Sequence, residues 1–199
     1  GNAERVAEIS EQLIALIEES GPWPEGRAAH SWLRGWARAQ LEDPRAGYRL
    51  IKEGYEQAFL LGMRIWASQT LGYAAEALGR AGDWTGARRE LDGAMQCAEA
   101  VGERLCLPQL LLLGSRIANA LGEPDRAREL VRQALAEART QEALWLELLA
   151  LSELCLHDDA TASDRRSLAA IVNQLPEASD TNAVRNAQAL IQKRKSPRQ

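Results

Sequence analysis

Apolar residues recur along this chain at intervals of three and four, not at alternate positions, and β-branched residues are few and scattered. That period is the signature of amphipathic helices and predicts an all-α chain without strands. Breakers punctuate the pattern at GPWPEG (21–26), EDP (42–44), LG (61–62), AGD (81–83), VG (101–102), GEP (122–124), HDDA (157–160) and PEASD (176–180). Between them lie segments of about 14 to 18 residues, an ordinary helix length. The punctuation predicts ten helices: a leading helix over 3–20, four antiparallel pairs, and a closing helix over 180–194.

An offset of 40 residues superimposes the pattern on itself. Gly82-Asp83-Trp84 then falls on Gly122-Glu123-Pro124, and Ala87, Leu91, Ala94, Met95 and Ala98 fall on Ala127, Val131, Ala134, Leu135 and Ala138. One step back, Pro44, Gly47, Ile51, Gly54 and Ala58 take the same places. In the first helix of each pair Gly35, Ala75 and Ser115 coincide, and Cys155, Ser167 and Ile171 form a decayed fourth copy. Small residues at such spacing let backbones approach. One sits late in the first helix, the next twelve positions on in the second, and a third seven beyond. That spacing is the tetratricopeptide pattern, with each helix about a turn longer than in the usual 34-residue unit. A period of 40 also suits HEAT-type repeats, so it is the small-residue spacing that favours the tetratricopeptide reading. The expected architecture is a single domain, 1–199: a right-handed superhelix of antiparallel hairpins, a tetratricopeptide-like α-solenoid. Its units span about 28–61, 64–101, 104–140 and 142–175.

In such units the first helix lines a concave groove. With Ala75 as its eighth position, the second unit presents Gln69, Gly72, Glu76, Gly79 and Arg80. The third presents Gln109, Leu112, Arg116, Asn119 and Ala120, and the first Ala29, Trp32, Trp36, Ala39 and Gln40. The groove-binding candidates are therefore Trp32, Trp36, Gln69, Glu76, Arg80, Gln109, Arg116 and Asn119. Leu33, Ala37 and Leu41 are expected on the packing side. Two occupants suit the tryptophan end. One is an external peptide or small effector. The other is the leading helix, whose Val6, Ile9, Leu13, Ile14, Leu16 and Ile17 need a partner. Lys and Asn at the fifth and ninth positions would clamp a chaperone tail; Trp, Gly, Leu and Trp, Glu, Arg stand there instead.

The run from Trp32 to Glu103 (WLRGWARAQ…AEAVGE) resembles the carboxy-terminal tetratricopeptide-like repeat region of large bacterial signalling ATPases. Ala138-Arg139-Thr140-Gln141-Glu142-Ala143-Leu144-Trp145-Leu146-Glu147 is similar to that family's next repeat, with Leu148-Leu149 where the family tends to Arg-Ala. Ala178-Ser179-Asp180-Thr181 is similar to its closing Gly-Phe-Asp-Thr turn, with the aromatic lost. The resemblance covers about residues 30 to 192. It implies a sensor or scaffold module downstream of a nucleotide-binding ATPase, linked to a winged-helix transcriptional activator or a class III adenylate/guanylate cyclase. The chain opens Gly-Asn-Ala without a methionine, so it is expected to be part of a longer protein.

Composition narrows the chemistry. A net charge of −4 supplies no global basic field for nucleic acid or anionic lipid. Cys97, Cys106 and Cys155 are scattered and odd in number, which suits thiols of a reducing cytosol better than disulfides or zinc. Cys155 takes a small-residue place in the ladder and is expected buried and inert. The longest apolar run, around LPQLLLLG, is too short to span a bilayer. No phosphate-binding glycine loop appears. His30 and His157 sit at helix ends and are expected at the surface. His157-Asp158-Asp159 lacks the alternating oxygen ligands of a calcium loop and reads as a capped linker. KRKSPRQ reads as a charged chain end. The expectation is a cytoplasmic, non-enzymatic module without metal or cofactor. Its partner would be a protein, a peptide, another domain of its own chain or a small effector, and not nucleic acid or membrane. A structural array that fills its own groove, or pairs as a homodimer, is the alternative.

Overall fold

A computed structural model describes residues 2–156, 160–175 and 181–192. HDDA but for Ala160, PEASD, the Ala178–Asp180 part of the closing turn and the KRKSPRQ end lie outside the described residues. Ten helices account for most of the rest, and no strand occurs among the described residues. They are α1 (Ala3–Ser20), α2 (Pro24–Leu41), α3 (Pro44–Leu60), α4 (Ala67–Arg80) and α5 (Trp84–Val101), followed by α6 (Leu107–Ala120), α7 (Pro124–Thr140), α8 (Leu144–Leu156), α9 (Ala162–Gln174) and α10 (Asn182–Gln192). The all-α expectation holds, as does the placing of the helices between the breakers.

Short-range chemistry sets the boundaries. Asp43 starts α3 by accepting hydrogen bonds from the Arg45 and Ala46 amides at 2.9 and 3.0 Å, with Pro44 in the first position. Asp83 does the same for α5 through the Gly86 amide at 2.8 Å. Thr161 and Asp164 close a reciprocal capping box at α9. The turns that end α3 to α6 each place a glycine in the left-handed region, at Gly62, Gly82, Gly102 and Gly122. The interval is 20 residues, and the fifth place in the series belongs to Glu142, at φ 52°. A β-carbon is unfavourable there by about 1 kcal/mol. The Glu142 side chain is exposed. Glu142→Gly is therefore expected to raise the unfolding free energy by up to about 1 kcal/mol, read from urea denaturation; a loss of stability would show that the side chain does work its exposure conceals.

Two compact units share the chain: residues up to Cys106 with 120–122, and Leu107–Asn119 with the residues from Glu123 on. In the first unit, each helix from α1 to α5 packs on the next, and α2 also meets α4. Its core holds Ala28, Trp32 and Ala39 of α2, Ile51 and Ala58 of α3, and Ala74 and Ala77 of α4. The small-residue ladder is a set of backbone contacts. A β-carbon on Gly35 would stand 2.7 Å from the Ile51 amide nitrogen, and one on Gly54 2.7 Å from the Ala28 carbonyl oxygen. In the second unit, α8 packs against α7, α9 and α10. Leu146, Leu148, Ala150, Leu151 and Leu154 of α8 are all buried, so that helix is apolar around most of its circumference.

Candidate functional site

The first helices of three pairs, α2, α4 and α6, repeat one exposure pattern. In α4 every residue from Ala67 to Gly79 is buried except Gln69, Tyr73 and Glu76, and Arg80 follows them exposed. Steps of four, three and four place these on one helix face. Forty residues earlier the half-buried positions of α2 include Ala29, Leu33, Trp36 and Gln40. Forty later on α6, Gln109, Arg116 and Ala120 are exposed and Leu113 half-buried.

This corrects the expected register at two places. Trp32, offered as a groove residue, is only 8% exposed and lies in the core drawn from α2, α3 and α4. Its equivalents Gly72 and Leu112 are buried too. The open position is the next residue, Leu33, Tyr73 or Leu113, because one step turns a helix by about 100°. Ala39 and Gly79 are likewise buried, whereas Asn119 is exposed as expected. On the opposite count, Ala37 is buried as a packing residue should be, but Leu41 is exposed. The core cluster that holds Trp32 contains no residue of the leading helix. α1 packs on α2, burying Ile17 and Ser10, and with α2 it flanks a small cleft lined by Arg34, Ala37, Arg38 and Leu41.

Three of the remaining candidates bridge α2 and α4. The Trp36 indole N–H donates to Glu76 Oε2 at 2.9 Å, and its ring packs on Tyr73 with centroids 6.0 Å apart. Arg80 donates from Nε to the Ala39 carbonyl at 3.2 Å and from Nη2 to the Gln40 carbonyl at 3.1 Å. These carbonyls belong to the last turn of α2, where a helix carries its negative partial charge, so the guanidinium satisfies them and the dipole together. The stripe on α2 and α4 is thus a polar tie between consecutive units. Beside it, the buried Gln40 Nε2 has no hydrogen-bond partner. Burial pushes the Tyr73 phenol upward in pKa, and the Glu76 carboxylate adds to it. Gln69 is half-buried, and Gln109, Arg116 and Asn119 are exposed on α6.

The other sulfur and imidazole groups are packing features. Cys106 is buried with Sγ 3.2 Å from Ser68 Oγ, and burial raises its thiol pKa. Cys97 and Cys155 are half-buried, which corrects the expectation of full burial at Cys155. His30 is half-buried instead of lying at the surface; its Nε2 is enclosed without a partner, and burial with Arg34 and Arg27 lowers its pKa against the pull of Glu11. No group of three His, Cys, Asp or Glu able to hold a metal occurs among the described residues. No helix among them is long and apolar enough to cross a membrane.

One surface escaped sequence reasoning. Around the turn from α3 to α4, Phe59, Leu60, Leu61, Ile65 and Trp66 are all exposed, Leu60 by 86% and Ile65 by 66%. Around the turn from α5 to α6, Val101 and Leu105 are exposed at the places of Leu61 and Ile65 plus forty. The Arg64 guanidinium lies over the Phe59 ring, 3.7 Å from its centroid, and donates to the Phe59 carbonyl at 2.8 Å. Turns joining the first helix of a pair to the second, by contrast, carry Glu42-Asp43 and Gly82-Asp83. The signal is present as LLGMRIW and AVGERLC, where apolar residues flank a chain-reversing glycine with no periodicity to mark whether they are covered. No protein-family model matches this chain, and no curated protein does either.

Proposed function

We propose that the chain is a non-catalytic, protein-binding repeat module, acting as the sensor or scaffold part of a bacterial signalling ATPase or transcriptional regulator. The observation that carries binding is the exposed apolar turn 59–66, repeated more weakly at 101–105. Five large apolar side chains left in water around one short turn are costly unless something covers them, and apolar patches of that kind mark interaction surfaces. The signalling context rests on the resemblance of residues 30 to 192 to that family. A partner with different affinity for two states of a neighbouring domain would shift its activity by that difference alone.

The polar ties among Trp36, Glu76, Arg80 and Gln40 favour a second reading, a structural array whose groove is used internally and whose apolar turns pair with a twin subunit. Light scattering over a concentration series separates the two, using the intact chain and a Leu60→Asp, Ile65→Asp variant. A monomer throughout, with the variant melting as the parent does, supports an open docking surface for a different protein. A dimer that the double substitution splits supports self-association. A variant destabilised by more than about 3 kcal/mol would sink both readings, since it would make the turn part of the core.

A further inference from the structure

In the first unit, α3 and α5 flank a cleft of about 550 Å³. Arg45 and Arg49 enter it from successive turns of α3 and Arg89 from α5, while Tyr48 and Leu78 form its wall. None of the three arginines takes part in an ion pair among the described residues. The two carboxylates that share the cleft are already engaged. Glu90 accepts from the Tyr48 hydroxyl at 2.7 Å and from Lys52 Nζ at 3.1 Å. Asp83 accepts from the Gly86 amide as the cap of α5. Just outside, Asp43 is occupied in capping α3.

One of these arginines stands where helix stability argues against it. Arg45 lies in the first turn of α3, at the positive end of the helix dipole, where a cation is unfavourable. Nor are the three a surface habit of every repeat. Arg49 and Arg89 occupy equivalent places forty residues apart, but the next equivalent is Glu129, and Arg45 corresponds to Thr85 and then Asp125. In the first turns of α7, Arg126 and Arg128 are paired with Glu129 and Asp125. On α3 and α5 the places of Asp125 and Glu129 are taken by Arg45, Thr85, Arg49 and Arg89, and three guanidinium groups line one cleft in a chain of net charge −4.

We infer that the α3–α5 cleft is a binding site for a small phosphate-bearing ligand, held by Arg45, Arg49 and Arg89. Guanidinium groups match the paired oxygens of phosphate in a bidentate manner that ammonium cannot. Since Asp43 and Asp83 occupy the helix-end amides, recognition falls to side chains and not to a helix terminus. The volume falls within the range of small-molecule sites. The site lies apart from the apolar turn of the proposed function, and either can fail without the other.

Calorimetric titration of the intact chain with inorganic pyrophosphate tests this, with citrate as a carboxylate of similar charge. Binding of pyrophosphate should be weakened about tenfold by Arg49→Gln and again by Arg89→Gln. Arg49→Lys should recover only part of the loss, because the charge returns without the fork. Both residues are exposed, so the variants should keep the parent melting temperature. Absence of pyrophosphate binding at about 1 mM, or binding that the Arg49→Gln, Arg89→Gln variant retains, would overturn the site. Citrate bound as tightly as pyrophosphate would overturn the assignment to phosphate.

Discussion

Trp32→Ala should lower the unfolding free energy by about 3–5 kcal/mol, the range for removing a large buried aromatic from a core. The indole is almost wholly enclosed, in a core it shares with Ala28, Ala39, Ile51, Ala58, Ala74 and Ala77 from three helices. Alanines on its neighbours cannot lean in to fill the space, so most of the cavity should persist. Surface bookkeeping agrees: about 150–250 Å² removed from water at about 25 cal/mol per Å² gives at most about 4–6 kcal/mol. Thermal unfolding should therefore fall by about 10 °C or more. Trp36→Ala is the informative companion. It loses one hydrogen bond to Glu76 and a half-exposed ring contact, and should cost about 1–2 kcal/mol. If instead Trp32→Ala melted with the parent protein and Trp36→Ala did not, the registration of α2 by one residue would be wrong, and Trp32 would return to the surface.

That single residue marks where sequence reasoning reached its limit. Helix ends were legible because their causes are local: Asp43-Pro44 starts α3, and Gly62, Gly82, Gly102 and Gly122 stop four helices in turn. The forty-residue ladder was legible because a side chain at a backbone crossing is excluded by size alone. Rotation about each helix axis was less so. Counting groove positions from a unit of shorter helices set Trp32, Gly72 and Leu112 outward, and all three turn inward, whereas Trp36 and Glu76 stay at the half-open face. Pairing was not legible at all. Nothing local shows that residues forty apart will bond, as Trp36 does with Glu76, or that Arg80 will reach the end of α2. Nor does the apolar character of Leu60 and Ile65 reveal that no neighbour covers them.

The second large effect tests the ladder itself. Gly47→Ala should destabilise the first unit by about 2–3 kcal/mol, although alanine is the better helix former by about 1 kcal/mol. A β-carbon at Gly47 would stand 2.5 Å from the Gly35 carbonyl oxygen and 2.6 Å from both the amide nitrogen and the β-carbon of Ala39. Two of those three atoms are backbone, held in the hydrogen-bonded ladder of α2, and cannot swing aside as a side-chain end could. The helices must separate by several tenths of an ångström, which loosens the contacts of Ile51 and Trp32 beyond the crossing. Gly93→Ala supplies the internal control. It lies mid-helix in α5, and its new methyl would meet only Leu71 Cδ1, at an ordinary 3.7 Å. There the helix-forming gain is unopposed, and stability should rise by about 0.5–1 kcal/mol. Urea unfolding of the two variants beside the parent chain should therefore give shifts of opposite sign from one chemical change. Equal shifts would mean that α2 and α3 do not touch through Gly35 and Gly47, and that the repeated small residues serve something other than close approach.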